Sequence, residues 1–161
     1  MLNVNELIGF GVGGGLGFAY WRVRATAQTH VGGTPRSFRI TEMEYRDAIG
    51  GSDQCSGGVA TASTGVAANG FDDELTTIWS SASTNVGVEW LAYEFIAPPV
   101  VAEIQIYAGT YSGQVVQIPE FVVEVSSNGV NWDVAATFSP GNTWTADGSG
   151  YRSTPKTFTM P

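Results

Sequence analysis

Apolar and polar residues alternate with a period of two along most of the chain beyond residue 20. In YWRVRATAQ, residues 20–28, Trp21, Val23 and Ala25 fall on one side while Tyr20, Arg22 and Arg24 fall on the other. That pattern predicts a strand with one dry face. THVGGTPR, 29–36, predicts a turn. SFRITEMEYR, 37–46, is a strand with a fault: Phe38 and Ile40 are apolar on even positions, then Met43 and Tyr45 on odd ones. A β-bulge near Thr41 and Glu42 would flip the phase in this way. Further strands are expected at VEWLAYEF (88–95), VVAEIQIYA (100–108), PEFVVEVSS (119–127), NWDVAATF (131–138) and TPKTFTM (154–160). SSNG, 126–129, is a hairpin signal between two of them. The pair Pro98–Pro99 ends a strand, because neither residue can donate to a ladder. About eight short strands, no helix beyond a turn or two and no internal repeat predict an all-β antiparallel sandwich of the jelly-roll kind.

Residues 1–19, MLNVNELIGFGVGGGLGFA, break the pattern. They hold too much glycine for a stable helix and too many apolar residues for a flexible linker. Two readings are open, a frayed terminus or an anchor that orders on docking to a partner. Domain organisation is therefore an N-terminal segment, 1–19, followed by one sandwich, 20–161.

Composition narrows the function. Apolar residues make up 43% and charged ones 14% of 161 residues, so the chain can bury a proper core. The net charge is −8, unevenly spread. Residues 1–50 carry five arginines against four acids; the remainder carries Arg152 and Lys156 against eleven acids. Such a surface repels phosphate backbones, which makes nucleic acid a poor partner and leaves cations and neutral ligands such as sugars. One cysteine, Cys55, permits no disulfide within the chain. No apolar run is long enough to insert in a membrane, and MLNVNELIGFG lacks the basic start of a secretion signal. The sole histidine, His30, lies in a turn with no nucleophile motif. Cys55 sits in a Gly/Ser loop without a base, and GVGGGLG, 11–17, lacks the strand, lysine and helix of a phosphate loop. No enzyme is expected.

The stretch GFDDELTTIW, 70–79, places Asp72, Asp73 and Glu74 ahead of Thr76, Thr77 and Trp79. It is similar to the A-F-D-G-N-x-x-T-x-W signature of discoidin-like domains. These include the coagulation factor C domains and many galactose-binding-like carbohydrate-binding modules. WLAYEF (90–95) resembles their W-L-x-x-D-L strand, and PEFVVEVSSNGVNW (119–132) resembles their P-K-D-F-x-V-x-x-S-x-D-G-x-x-W hairpin. YWRVR (20–24) and ITEMEY (40–45) resemble the Y-V-R-L-R and I-A-E-I-E-F strands that usually close the domain. Here those two strands open it, so the order resembles a circular permutation. That order puts TFTM, 157–160, near Tyr20–Arg24 in space.

The resemblance implies a structural calcium-type ion under the acidic loop. Its ligands would be the Asp72 carboxylate, the Thr77 hydroxyl and carbonyl, the carbonyls of Asn69 and Glu74, and Glu42 with the Thr41 carbonyl from the bulged strand. That is an all-oxygen set of the kind hard cations prefer. The alternative is a loop held by its own Asp and Thr hydrogen bonds. Three departures stand out: Gly70 for Ala, Asp73 for a turn Gly, and Leu75 for Pro. The resemblance also places Trp21, Trp79 and Trp132 at core or strand positions, and Trp90 is expected to pack as well. Sugar sites need an exposed aromatic platform beside hydrogen-bonding groups. Tyr111 and Trp144, in loops, and His30 and Arg36, in the first turn, are the ligand-binding candidates.

The layout resembles a bacteriophage virion protein: a small tail-fibre, spike or capsid-decoration component. Its head would bind host surface glycans, and 1–19 would dock on other virion proteins. Homo-oligomerisation is expected because weak single-site sugar binding gains from multivalency. Two alternatives are a purely structural decoration protein without ligand binding and an accessory module of a secreted glycan-degrading enzyme.

Overall fold

Each alternating segment becomes a strand because one of its faces is removed from water. A computed structural model describes residues 17–161. The glycine-rich segment therefore lies outside the described residues, apart from Gly17–Ala19. The strands, in chain order, are β1 Tyr20–Ala25, β2 His30–Val31, β3 Thr34–Pro35, β4 Arg39–Arg46, β5 Val59–Ala62, β6 Trp79–Ser80 and β7 Trp90–Glu94. They continue as β8 Glu103–Ala108, β9 Thr110–Tyr111, β10 Gln114–Val115, β11 Phe121–Ser126, β12 Asp133–Phe138 and β13 Lys156–Thr159. One 3₁₀ turn, Ala67–Gly70, is the helical element among the described residues.

Two antiparallel sheets face each other. One has the order β12-β11-β1-β7-β5, the other β13-β8-β4-β6. β1 keeps the alternation read from its sequence, with Trp21, Val23 and Ala25 buried and the residues between them half-buried. The expected fault in β4 is real. Its register against β8 shifts between Ile40 and Glu42, so that Ile40, Met43 and Tyr45 all reach zero exposure. Besides the hairpin strands β2, β3, β9 and β10, which form in segments expected to be turn or loop, β5 and β6 are the strands the periodicity did not reveal. Both are short, and VATA carries little apolar contrast from one position to the next.

The core joins the sheets through aromatic contacts. Trp21 packs on Tyr45 at 5.8 Å between ring centroids, and Tyr45 meets Phe95 at 5.7 Å. Phe38 meets Trp79 edge-on at 5.3 Å. At the other flank Phe121, Phe138 and Phe158 form a mutual cluster at 4.9 to 5.4 Å. Such pairs stabilise by about 0.5–1.5 kcal/mol beyond the area they bury.

TFTM is not a sheet neighbour of Tyr20–Arg24. β13 is the edge strand of the second sheet, paired with β8, whereas β1 is central in the first. Across the sandwich Phe158 of β13 packs on Phe121 of β11, the register partner of Ala25. The reason is that β1 already has β11 and β7 on its two sides, which leaves no free edge for a third strand.

Trp79 is fully buried, and its indole N–H donates to the Thr64 carbonyl at 2.8 Å. Trp79→Ala leaves a large cavity and an unserved carbonyl. We expect a loss of about 3–5 kcal/mol in urea unfolding.

Candidate functional site

The acidic stretch folds as a tight loop that runs from the 3₁₀ turn into β6. Gly70 is buried there because a Cβ would stand 2.6 Å from Leu91 Cδ2. Asp73 sits at φ 59°, the left-handed region, which Asp tolerates at some strain. The loop thus keeps the turn that the family pattern assigns to glycine. The Asp73 amide points inward and donates to Glu42 Oε2 at 2.9 Å.

Four acceptor oxygens surround one hydroxyl. Thr77 Oγ1 lies 3.0 and 2.9 Å from the two Asp72 carboxylate oxygens, 2.9 Å from the Glu74 carbonyl and 3.5 Å from the Asn69 carbonyl. A hydroxyl carries one proton; the Glu74 amide also serves Asp72 Oδ1 at 3.0 Å and the Thr77 amide serves the Glu74 carbonyl at 3.1 Å, so the loop is held in part by its own hydrogen bonds. The four oxygens collect negative potential at a point that could hold a hard cation. Among the described residues no group of three or more His, Cys, Asp or Glu side chains gathers in metal-binding fashion. The donors here are mostly carbonyl and hydroxyl. Thr41 is fully buried, and its hydroxyl is turned to the Tyr151 carbonyl at 3.4 Å.

Glu42, brought in by the bulge, is 1% exposed. Its carboxylate accepts from the amides of Met43, at 3.1 Å, and Asp73. Burial pushes its carboxyl up to about 8; the two amide bonds pull it down, and the nearby charges of Asp73 and Asp72 add to the rise.

The ligand-binding candidates emerge at the strand ends away from the Trp21–Tyr45 contact. Two hairpins stand there. β2 and β3 are joined by Gly32–Gly33, and β9 and β10 by Ser112–Gly113, with positive φ at all four positions. That is the type I′ turn, whose twist matches the strands it joins. His30 pairs with Gln117 through the backbone, and its ring bonds to Asn142 Oδ1 at 2.9 Å. The Arg36 guanidinium lies over the Tyr111 ring, 4.3 Å from its centroid. Tyr111 is 38% exposed.

Trp144 does not belong on this surface. It is 3% exposed, and its indole N–H donates to the Ile118 carbonyl at 2.9 Å. Gln117 holds its backbone in place by accepting from the Trp144 amide and donating to its carbonyl. Its loop position suggested exposure, but the ring plugs one flank of the core beside Phe158. A small cleft lined by Ala25, Thr29, Phe38, Asn85 and Glu89 has a volume of about 10 Å³, room for one water and no sugar ring.

The family model for the F5/8 type C domain matches residues 51–161. The chain belongs to the F5/8 type C family. No curated protein and no solved structure matches it. Domains of this family are generally non-catalytic binding domains, of a carbohydrate- or other ligand-binding type. The matched span leaves out β1 and β4, although each is an interior strand of its sheet.

In this F5/8 type C domain several residues at the site escaped the sequence reading. Arg39 also stacks on Tyr111, at 5.1 Å. It opens β4, and nothing in the strand pattern marks it as part of a site. Trp132 and Trp90 are half-buried on the outer face of the first sheet, not in its core. The Arg22 guanidinium lies 4.1 Å from one ring centroid and 5.5 Å from the other. Burial first, then the charge of Asp53, push the Cys55 thiol far up.

Glu42 yields a pH prediction. An unfolded glutamate ionises near its ordinary value of 4.5, whereas the folded one holds its proton to about 8. The raised folded value means that the stabilisation is complete below 4.5, declines between 4.5 and 8, and is absent above 8. In chelator, urea unfolding of Glu42→Gln should therefore lose less stability across that window than the parent. Equal slopes would show that Glu42 does not titrate in this way.

Proposed function

We propose that this F5/8 type C domain is the glycan-binding head of a non-enzymatic bacteriophage virion protein, a tail-fibre, spike or capsid-decoration component. The reading is carried by Tyr111 and Arg36, an exposed aromatic with a stacked guanidinium on two rigid hairpins, in a family of binding domains. An aromatic ring beside fixed hydrogen-bond donors is the usual chemistry of a sugar subsite. His30 stands on the same hairpin as Arg36. Residues 1–19 would dock the head on other virion proteins, and several heads together would attach to host surface glycan by multivalency. The motif order, with β1 and β4 ahead of the matched span, supports a circularly permuted domain.

A calcium-type ion belongs to the same reading, as a structural cofactor. The convergence of oxygens from Asn69, Asp72, Glu74 and Thr77 supports it, with Glu42 and Thr41 on the strand beneath. Bound there, a cation would supply the positive charge that those oxygens lack and tie the loop to the core. Thermal unfolding should occur at higher temperature in calcium than in chelator, and Asp72→Asn should abolish the difference. Superimposable curves for the parent would remove the ion.

The function itself is tested with the full chain, biotinylated and assembled on streptavidin, against a glycan panel and bacterial surfaces. We expect retention on a defined sugar, reduced about tenfold or more by Tyr111→Ala through loss of the platform. Silence across both panels would leave the structural decoration role, with Tyr111 covered in a subunit contact.

A further inference from the structure

The chain has seven cationic side chains for fifteen acids, and all seven lie within the described residues. Four are neutralised. Arg22 and Arg24 share Glu124, Arg46 meets Glu44 and Glu103, and Arg152 meets Asp147. Arg36, Arg39 and Lys156 have no carboxylate within ion-pair distance among the described residues. In a protein so rich in acids, two neighbouring arginines without a counter-charge are unexpected.

Their surroundings sharpen the point. Both guanidiniums lie over one ring, Tyr111, at 4.3 and 5.1 Å. Arg36 donates from Nη1 to the Pro35 carbonyl at 3.0 Å, and its Nε is buried without a partner. Arg39 donates from Nη1 to the Thr110 carbonyl at 2.8 Å and from Nε to Ser37 Oγ at 3.2 Å. These are neutral acceptors, so the two positive charges stay uncompensated and repel each other. Burial and the charge of Arg36 also hold the Arg39 guanidinium below its ordinary range, opposed by Tyr111.

We infer that Arg36, Arg39 and Tyr111 form a subsite for the carboxylate of an acidic sugar. Resting on the glycan-binding reading above, this names the class of glycan that site takes. A planar carboxylate matches the guanidinium fork and would relieve the repulsion between the two cations. Tyr111 keeps the fork in place and offers its exposed part to the sugar ring. The net charge of −8 gives no long-range attraction to any polyanion, so the ligand is selected at short range, by the match of one planar sugar carboxylate to the guanidinium pair beside an aromatic ring.

The test uses the full chain on streptavidin with polygalacturonate, alginate and polysialic acid. Methyl-esterified polygalacturonate is the neutral counterpart, and phosphatidylcholine vesicles with and without phosphatidylserine are the lipid arm. We expect binding to at least one acidic polymer that weakens with added salt. For Arg36→Gln the loss should be about tenfold, the usual size of one charge-assisted contact, with Arg36→Lys between it and the parent. Lys156→Gln, the third unpaired cation, should bind like the parent, and unchanged melting would show that Arg36→Gln folds. If polygalacturonate is the polymer bound, esterification should weaken it similarly. Binding confined to neutral sugars, or equal binding to the acid and its ester, would overturn this inference and leave the glycan reading intact. Binding only to phosphatidylserine vesicles would overturn both. Failure of all three acidic polymers to bind, with neutral glycans also silent, would likewise end both.

Discussion

One extra residue in β4 organises the domain. The bulge between Ile40 and Glu42 lets Phe38 and Ile40 face the core before it and Met43 and Tyr45 after it. A regular strand would have sent one of these pairs into water, because the side-chain period is two. The same bulge drives the Glu42 carboxylate inside, where nothing in the core could accept it unaided. The acidic loop answers that need with the amide of Asp73, presented from a left-handed turn. Loop and strand are thus shaped for each other across 31 residues of sequence, and Trp79 and Gly70 pack the loop too tightly for it to swing away.

Charge is distributed with a similar economy. Glu124 is 4% exposed, on the outer face of the first sheet, and it accepts from both Arg22 and Arg24. Burial works against its ionisation, but the two arginines outweigh that and hold its carboxyl below the ordinary carboxylate range. Arg22 is in turn laid against Trp90 and Trp132. That face is closed by its own side chains, and its arginines are occupied. The loop end is the contrasting case, where aromatic and cations meet without an acid between them. An overall acidic chain can therefore carry a local cationic spot, which composition alone conceals.

Much of the architecture could be read from one-dimensional pattern. β1, β7, β8, β11, β12 and β13 fall within the segments expected for them, and the phase slip at Thr41–Glu42 located the bulge to the residue pair. Periodicity reports which face a side chain takes, and that is decided locally. It does not report what covers that face. A loop position among polar residues makes Trp144 a candidate platform, yet Gln117 and Phe158, distant in sequence, pack against it. The motif places Trp132 at a core or strand position, and it lies just before β12, half-buried against Arg22. Arg39 was missed because its partner Tyr111 is reached only after the chain has crossed the sandwich. Tyr111 and Arg36 were legible as types suited to sugars, but their contact was not.

The two hairpins give that contact its mechanical meaning. Arg36 follows β3 directly, and Tyr111 ends β9, so each sits within a few residues of a two-residue turn. Type I′ turns with glycine at positive φ are stiff, since they match the twist of their strands. Arg36 is held to Thr29 by its amide at 2.9 Å, and Arg39 to Gly109 by its carbonyl at 3.0 Å. Gly109 is itself confined, since a Cβ there would stand 2.8 Å from Ile78 Cγ2. The backbone under both arginines is therefore fixed before any ligand arrives. Ordering a long side chain on binding costs about 0.5–1.5 kcal/mol, and a stacked guanidinium has already lost part of that freedom. A shallow site without a deep pocket has little buried area to draw on. Preorganisation of this kind, repeated over several copies, is how such a surface could hold a polymeric ligand firmly.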